Sequence, residues 1–279
     1  MLLADKPAGV TSHDVVAAAR RAYGERRIGH GGTLDPFATG LLVLLLGRAT
    51  RLLPYLEGEP KVYEATIRFG AETDTDDFTG ETTRTAPPPT LDTIRSAIPA
   101  LTGIIEQQPP TYSAKKVGGR KAYQAARRGA ELELPTARVV VHGWEIKSWR
   151  EPELHVVVTC GGGTYVRALA RDLGRLTSSA AHLTALRRVA SGPFRVDDAL
   201  TFDAIRAAER APQPALAAVP SMPTERLDAD GVARVRRGQQ TSASVEGDRV
   251  ALLDPAGALV AIGERDGRQW QPRVVLSDD

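Results

Sequence analysis

Residues 27–45 read RIGHGGTLDPFATGLLVLL. Glycines at 29, 31, 32 and 40 surround His30 and a single carboxylate, Asp35, which stands directly before a proline. The segment reads as loop, because glycine and Asp-Pro pairs favour turns. The run that follows, LLVLLLG at 41–47, has no polar side chain and the length of a strand buried on both faces. One acid therefore stands at the mouth of a buried strand, and loop positions held by rigid elements are where chemistry concentrates.

Working outward, TSHDVVAAARRAYG (11–24) opens with capping residues, carries Asp14 early and runs to a glycine stop, which predicts a helix. KVYEATIRFG (61–70) alternates strictly: Tyr63, Ala65, Ile67 and Phe69 share one face, while Glu64, Thr66 and Arg68 take the other. AETDTDDFTGE (71–81) reads as an acidic, solvated turn region, and APPPT precedes a helix expected over Leu91–Leu101. Two more strand patterns, TARVVVHGWEIKSW (136–149) and EPELHVVVTC (151–160), lead to GGGTYVRALARDLGRL (161–176), a glycine turn into a helix. Strands and helices alternate without a regular βαβ rhythm, so the fold class is α+β. Residues 211–225 hold four prolines and lose periodicity, so the domain boundary is placed there. This divides the chain into a domain over 1–210, a proline-rich linker over 211–225 and a small β module over 226–279.

Bulk properties narrow the function. Of 279 residues, 42% are hydrophobic and 25% charged, as expected of a globular chain with a real core. No apolar run reaches the ~18 residues of a membrane span, and Asp5 interrupts the position of a signal peptide, so a cytoplasmic protein is expected. A single cysteine, Cys160, excludes an internal disulfide framework and a cysteine-rich zinc site. The five histidines show no paired spacing, so no metal is expected. Glycines 29, 31 and 32 fail the dinucleotide pattern because Leu34 occupies the third glycine position, and DTDD at 74–77 lacks EF-hand spacing. No cofactor motif is present.

The net charge of +2 does not by itself announce a nucleic-acid protein, but its distribution is uneven. KKVGGRKAYQAARR (115–128) holds Lys115, Lys116, Arg120, Lys121, Arg127 and Arg128 with no acid. A charge run is usually a solvated face. Here Tyr112 and Tyr123 are interleaved, and cationic loops with aromatics suit a phosphate backbone with stackable bases.

An Asp-Pro acid is most often only a turn residue. Arg167 adds a second observation: it falls in the first turn of its helix, where the dipole disfavours a cation, so it is expected to answer a carboxylate. A carboxylate that must stay ionised in a dry cleft needs such a partner. Tyr63 either sits in the core or walls a pocket, offering a flat ring and a hydroxyl.

The separate segments LLADKPAGVTSHDVV, RRIGHGGTLDPFATGLLVLLLGRATR, KVYEATIRFGAETDTDDFTGE, QQPPTYSAKKVGGRKAYQAARRG, CGGGTYVRALARDLG and AHLTALRRVASGPF occur in one order. Together they resemble the bacterial tRNA pseudouridine-55 synthase family. The resemblance implies an α+β catalytic domain around a mixed, largely antiparallel sheet, followed by a small RNA-binding domain of the PUA type. It implies isomerisation of one uridine in the T-arm loop of tRNA, without cofactor or metal.

Residue by residue, the resemblance makes Asp35 the catalytic nucleophile, Arg167 its ion-pair partner and Tyr63 the residue that stacks on the uracil and assists loss of the C5 proton. His30 would fill the space left by the flipped nucleotide, Tyr165 and Leu186 would line the uracil pocket, and Lys6 and Pro7 would brace the active-site loop. Residues 103–130, with Lys115, Lys116 and Arg120, look like an RNA-gripping insertion. The insertion and C-terminal module favour stand-alone action as a monomer on tRNA. Two rivals are a glycoside hydrolase, which usually needs a second acid beside the bond, and a non-catalytic RNA-binding protein of the same fold. Asp74, Asp76 and Asp77 read as solvated and so do not supply that second acid.

Overall fold

Helix Ser12–Tyr23 begins where its sequence signals place it. Thr11 Oγ1 accepts from the Asp14 N–H at 3.1 Å, and Asp14 Oδ2 accepts from the Thr11 N–H at 2.9 Å, a reciprocal cap. Gly24, at φ 64°, ends the helix in a conformation that costs glycine little. In this computed structural model the described residues are 1–111, 116–117, 120–121 and 135–276. They fall into two units, residues 1–58 with 192–279, and residues 59–191.

In the first unit the apolar run forms strand Thr39–Leu46, whose six central residues are all buried. It pairs antiparallel with Leu2–Lys6 on one side, and Ile28–His30 also pairs antiparallel with it. Leu200–Thr201 runs parallel to Leu2–Lys6. Val15, Val16 and Ala19 of the first helix pack with Leu2, Ala4, Leu42, Leu44 and Ile205 into one core. Residues 224–275 of the same unit build a five-stranded sheet around fully buried Trp270. The indole N–H of Trp270 donates to Glu225 Oε2 at 2.7 Å, so its one polar atom is satisfied.

The second unit is an antiparallel sheet ordered Ala181–Ser191, Lys61–Phe69, Glu153–Cys160, Ala137–Arg150, Gly103–Gln107. Strand Lys61–Phe69 is paired on both sides, and its alternation is realised: Tyr63, Ala65, Ile67 and Phe69 are buried while Glu64 and Arg68 are exposed. Helix Leu91–Ala97 ends earlier than its pattern predicts and tightens into a 3-10 turn over Ile98–Leu101, where Pro99 cannot donate a helical N–H. Helix Val166–Leu176 packs against strand Ala181–Ser191. Gly174 permits that approach, since a Cβ there would lie 2.6 Å from the Ala181 nitrogen. The fold class is α+β, and the sheets contain both parallel and antiparallel pairs.

Candidate active site

Asp35 lies on the loop between strands Ile28–His30 and Thr39–Leu46, partly buried. Both flanking peptides are held. Ser12 Oγ donates to the Leu34 carbonyl at 3.1 Å and accepts from the Leu34 N–H at 2.9 Å, below the surface. Pro36 O accepts from the Gly9 N–H at 2.9 Å and from Lys6 Nζ at 3.2 Å. Lys6 is fully buried and also donates to the carbonyls of Pro7 at 2.9 Å and Val10 at 2.6 Å. A buried ammonium needs such acceptors, and here they join residues 6–10 to the loop. The glycines have steric reasons as well. A Cβ at Gly29 would lie 2.8 Å from Leu53 Cδ1, and one at Gly31 would collide with Leu56. His30, between them, is partly buried.

In the second unit, Tyr63 and Leu186 are both buried on neighbouring strands. Leu186 is registered opposite Ala65, which shares its face with Tyr63, so the two are diagonal neighbours on one side of the sheet. Tyr165 precedes helix Val166–Leu176 and is partly buried; Arg167 lies in the first turn, 4% exposed.

The acidic segment is where the sequence reading fails. Asp76 and Asp77 are not solvated: they are 5% and 4% exposed, whereas Asp74 and Glu81 are exposed. Arg167 Nη1 donates to the Thr75 carbonyl at 2.8 Å and lies 3.5 Å from Asp77 Oδ2. One turn on, Arg171 donates to Asp76 Oδ2 at 2.9 Å, to Asp172 Oδ1 at 2.9 Å and to the Gln108 carbonyl at 2.8 Å. Another turn on, Arg175 forms a two-point pair with Glu72. Three arginines at four-residue spacing thus face three acids, which draws the acids inward. Burial pushes Asp76 up to about 6, against the opposing pull of Arg171 and Arg167. For Glu72, burial also pushes upward, but Arg175 and Arg84 outweigh it and hold the carboxyl below its usual range. Asp77 Oδ1 accepts from the Thr79 N–H and Thr75 Oγ1, each at 3.0 Å, and the Phe78 N–H donates to Leu183 O at 2.9 Å. The turn is thereby tied to strand Ala181–Ser191. The expectation that Arg167 answers a carboxylate is met within this unit by Asp77.

Gln107 is the other residue that sequence reading passes over. Its amide carbonyl accepts from the Tyr165 N–H at 2.8 Å, and its NH₂ donates to the Tyr165 carbonyl at 3.1 Å. Of the basic segment, Lys115 lies outside the described residues, while Lys116 and Arg120 are described only as backbone of a two-residue strand pair. Among the described residues, no cluster of three or more His, Cys, Asp or Glu could hold a metal ion.

Residues 20–166 match the family described as TruB family pseudouridylate synthase (N terminal domain), and residues 167–219 match the tRNA pseudouridylate synthase B C-terminal domain. The chain belongs to the TruB family. A TruB-family relative from Thermobifida fusca (strain YX), named tRNA pseudouridine synthase B, is 44% identical over 99% of this chain and 98% of its own. A relative of the same name from Nocardia farcinica (strain IFM 10152) is 43% identical over 99% of this chain and 92% of its own. In fold, the chain is similar to a protein in the archaeal box H/ACA sRNP Nop10–Cbf5 complex. The TM-score is 0.72 at 25% identity, over 99% of this chain and 85% of that one. The three segments that hold Asp35, Tyr63 and the Asp76–Asp77 turn all lie within the matched TruB-family region.

Proposed function

We propose that this chain isomerises uridine to pseudouridine in tRNA, acting at position 55 in the T-arm loop. The observation that carries the reading is membership of the TruB family across nearly the whole chain, with a relative named tRNA pseudouridine synthase B at 44% identity. In the reaction the C1′–N1 bond breaks, a C1′–C5 bond forms, C5 loses its proton to solvent and N1 gains one. No electron or group leaves the substrate, so the chemistry is balanced without a co-reactant.

Asp35 is the group that acts at the ribose, either as nucleophile at C1′ or as base at C2′. Its support is mechanical: the carbonyls on both sides of it are fixed by Ser12, Gly9 and Lys6. Arg167 supplies a cation to that carboxylate, and its support is its burial and its own anchorage on Thr75 and Asp77. The uridine must leave the loop stack before reaction, at a cost of a few kcal/mol that stacking recovers. Tyr63, Tyr165 and Leu186 provide the stacking and apolar walls, Tyr63 assists loss of the C5 proton, and His30 occupies the vacated space. Lys115, Lys116 and Arg120 contact phosphates, which set register without reading sequence. The C-terminal five-stranded sheet acts as a PUA-type RNA-binding module, and the protein works as a monomer in the cytoplasm without an obligate protein partner.

The test is incubation of the purified protein with tRNA carrying tritium at uracil C5, followed by mapping of the modified position. Release of tritium with pseudouridine at a single T-loop site is expected. Release of free base would indicate a hydrolase, and tRNA binding without tritium release a non-catalytic RNA-binding protein; either outcome overturns the proposal.

A further inference from the structure

The root of the basic insertion is fastened twice to the helix that carries Arg167. Strand Gly103–Gln107, the first part of segment 103–130, is an edge of its sheet and leads toward the basic run at 115–128. Gln107, 1% exposed, turns its carboxamide to the backbone of Tyr165, accepting from the N–H at 2.8 Å and donating to the C=O at 3.1 Å. This pair imitates a strand pairing, and it needs an amide because one group must accept while the other donates. The next residue, Gln108, offers its carbonyl to Arg171 at 2.8 Å. Pro109 and Pro110 are buried. The two fastenings bracket Arg167: Tyr165 lies two residues before it and Arg171 one turn after.

We propose that Gln107 is a positioning residue for the isomerisation. It fixes the Tyr165 backbone, and with it both the tyrosine ring and the first helical turn bearing Arg167, to the base of the RNA-gripping insertion. The inference rests on the function proposed above. Its chemistry is specific. A leucine of similar size loses both hydrogen bonds. A glutamate keeps the acceptor but, when ionised, faces the Tyr165 carbonyl with a second acceptor; when protonated, it regains the donor. Burial raises the pKa of such a carboxyl, which brings that recovery into an accessible range.

The experiment uses the full chain with C5-tritiated tRNA under single-turnover conditions, enzyme in excess, from pH 5.5 to 8.5, with the wild type in parallel. Binding is read by filter retention and folding by circular dichroism. Gln107→Leu is expected to lower the single-turnover rate about tenfold or more while tRNA affinity stays within about twofold, the pattern of a misaligned site. The rate of Gln107→Glu relative to wild type is expected to rise as pH falls. Arg171, Asp76 and Asp172, the charged groups of the same cluster, are common to both proteins, so a pH-dependent ratio reports the added carboxyl together with its coupling to them.

A folded Gln107→Leu variant with the wild-type rate would overturn the inference, as would a rate loss matched by an equal affinity loss. A Gln107→Glu ratio that is flat with pH overturns it even if the leucine variant fails to fold. A wild type that forms no pseudouridine removes the function reading and this inference together; product from the wild type alongside unaffected variants removes only the inference.

Discussion

Replacing Lys6 with methionine tests how the Asp35 loop is held. Methionine keeps the length of the apolar stem and removes the ammonium, which donates to the carbonyls of Pro7, Val10 and Pro36 at 2.9, 2.6 and 3.2 Å. Bonds from a charged donor contribute about 1.5–3 kcal/mol each, and they are not additive. Pro36 O also retains the Gly9 N–H at 2.9 Å, so its loss is partial. A total of roughly 3–5 kcal/mol follows, which lowers the melting temperature by about 10 °C in a chain of this size. The kinetic consequence is separate. Pro36 adjoins Asp35, and a shift of about 1 Å at a reacting group costs on the order of a hundredfold in rate. Thermal unfolding by circular dichroism reads the first effect, and single-turnover tritium release at 20 °C reads the second. Lys6→Met is expected to melt earlier and to react at least about tenfold more slowly with unchanged tRNA affinity. A variant that melts with the wild type refutes the energetic reasoning, and one that melts early but reacts normally refutes the bracing of Asp35.

Burial raises Asp76 from 3.8 to about 6, so between about pH 4 and pH 6 the folded chain holds a proton there that the unfolded chain has released. Its contribution to stability is therefore greatest below about pH 4 and falls by roughly 3 kcal/mol as pH rises through about 6. Asp76→Asn cannot ionise and should gain on the wild type across that window, as read by urea midpoints at pH 4 and 7; a constant difference would be contrary. Gly174→Ala should destabilise by roughly 1–3 kcal/mol despite alanine's better helix propensity, because the new Cβ meets the Ala181 backbone at 2.6 Å. Its melting curve checks this. Removing positive charge at Lys115, Lys116 and Arg120 should weaken tRNA binding and flatten its dependence on salt, whereas an unchanged slope would mean that these residues do not touch phosphate.

Elements with local signatures were legible from the sequence. The Thr11 cap and Gly24 stop bound the first helix, six consecutive apolar residues became a strand buried on both faces, and strict alternation from Tyr63 to Phe69 gave its buried side correctly. The acids at 76 and 77 were misread because what buries them lies about ninety residues away along the chain, and ion pairing leaves no periodicity near either partner. A signal was available at the other end: Arg167, Arg171 and Arg175 repeat every fourth residue, and three cations on one face of an otherwise buried helix require acids opposite. Gln107 had no comparable mark. An amide at the end of an exposed edge strand looks like any polar terminus, and the bonding of its side chain to the Tyr165 backbone, 58 residues on, emerges only in three dimensions. The Asp35 loop stood between these cases. Its glycines announced a turn, but Leu53 and Leu56, whose methyl groups a Cβ at positions 29 and 31 would have to displace, are seen only in three dimensions.

The most direct test of the account is Asp35→Asn, a nearly isosteric change that removes the charge and leaves the loop's backbone bonds to Ser12, Gly9 and Lys6 in place. Tritium release from tRNA and tRNA retention on a filter are measured on the same preparation. Retention at the wild-type level with no tritium release above background is the predicted result. Turnover near that of the wild type would mean that the reaction is carried by some other group.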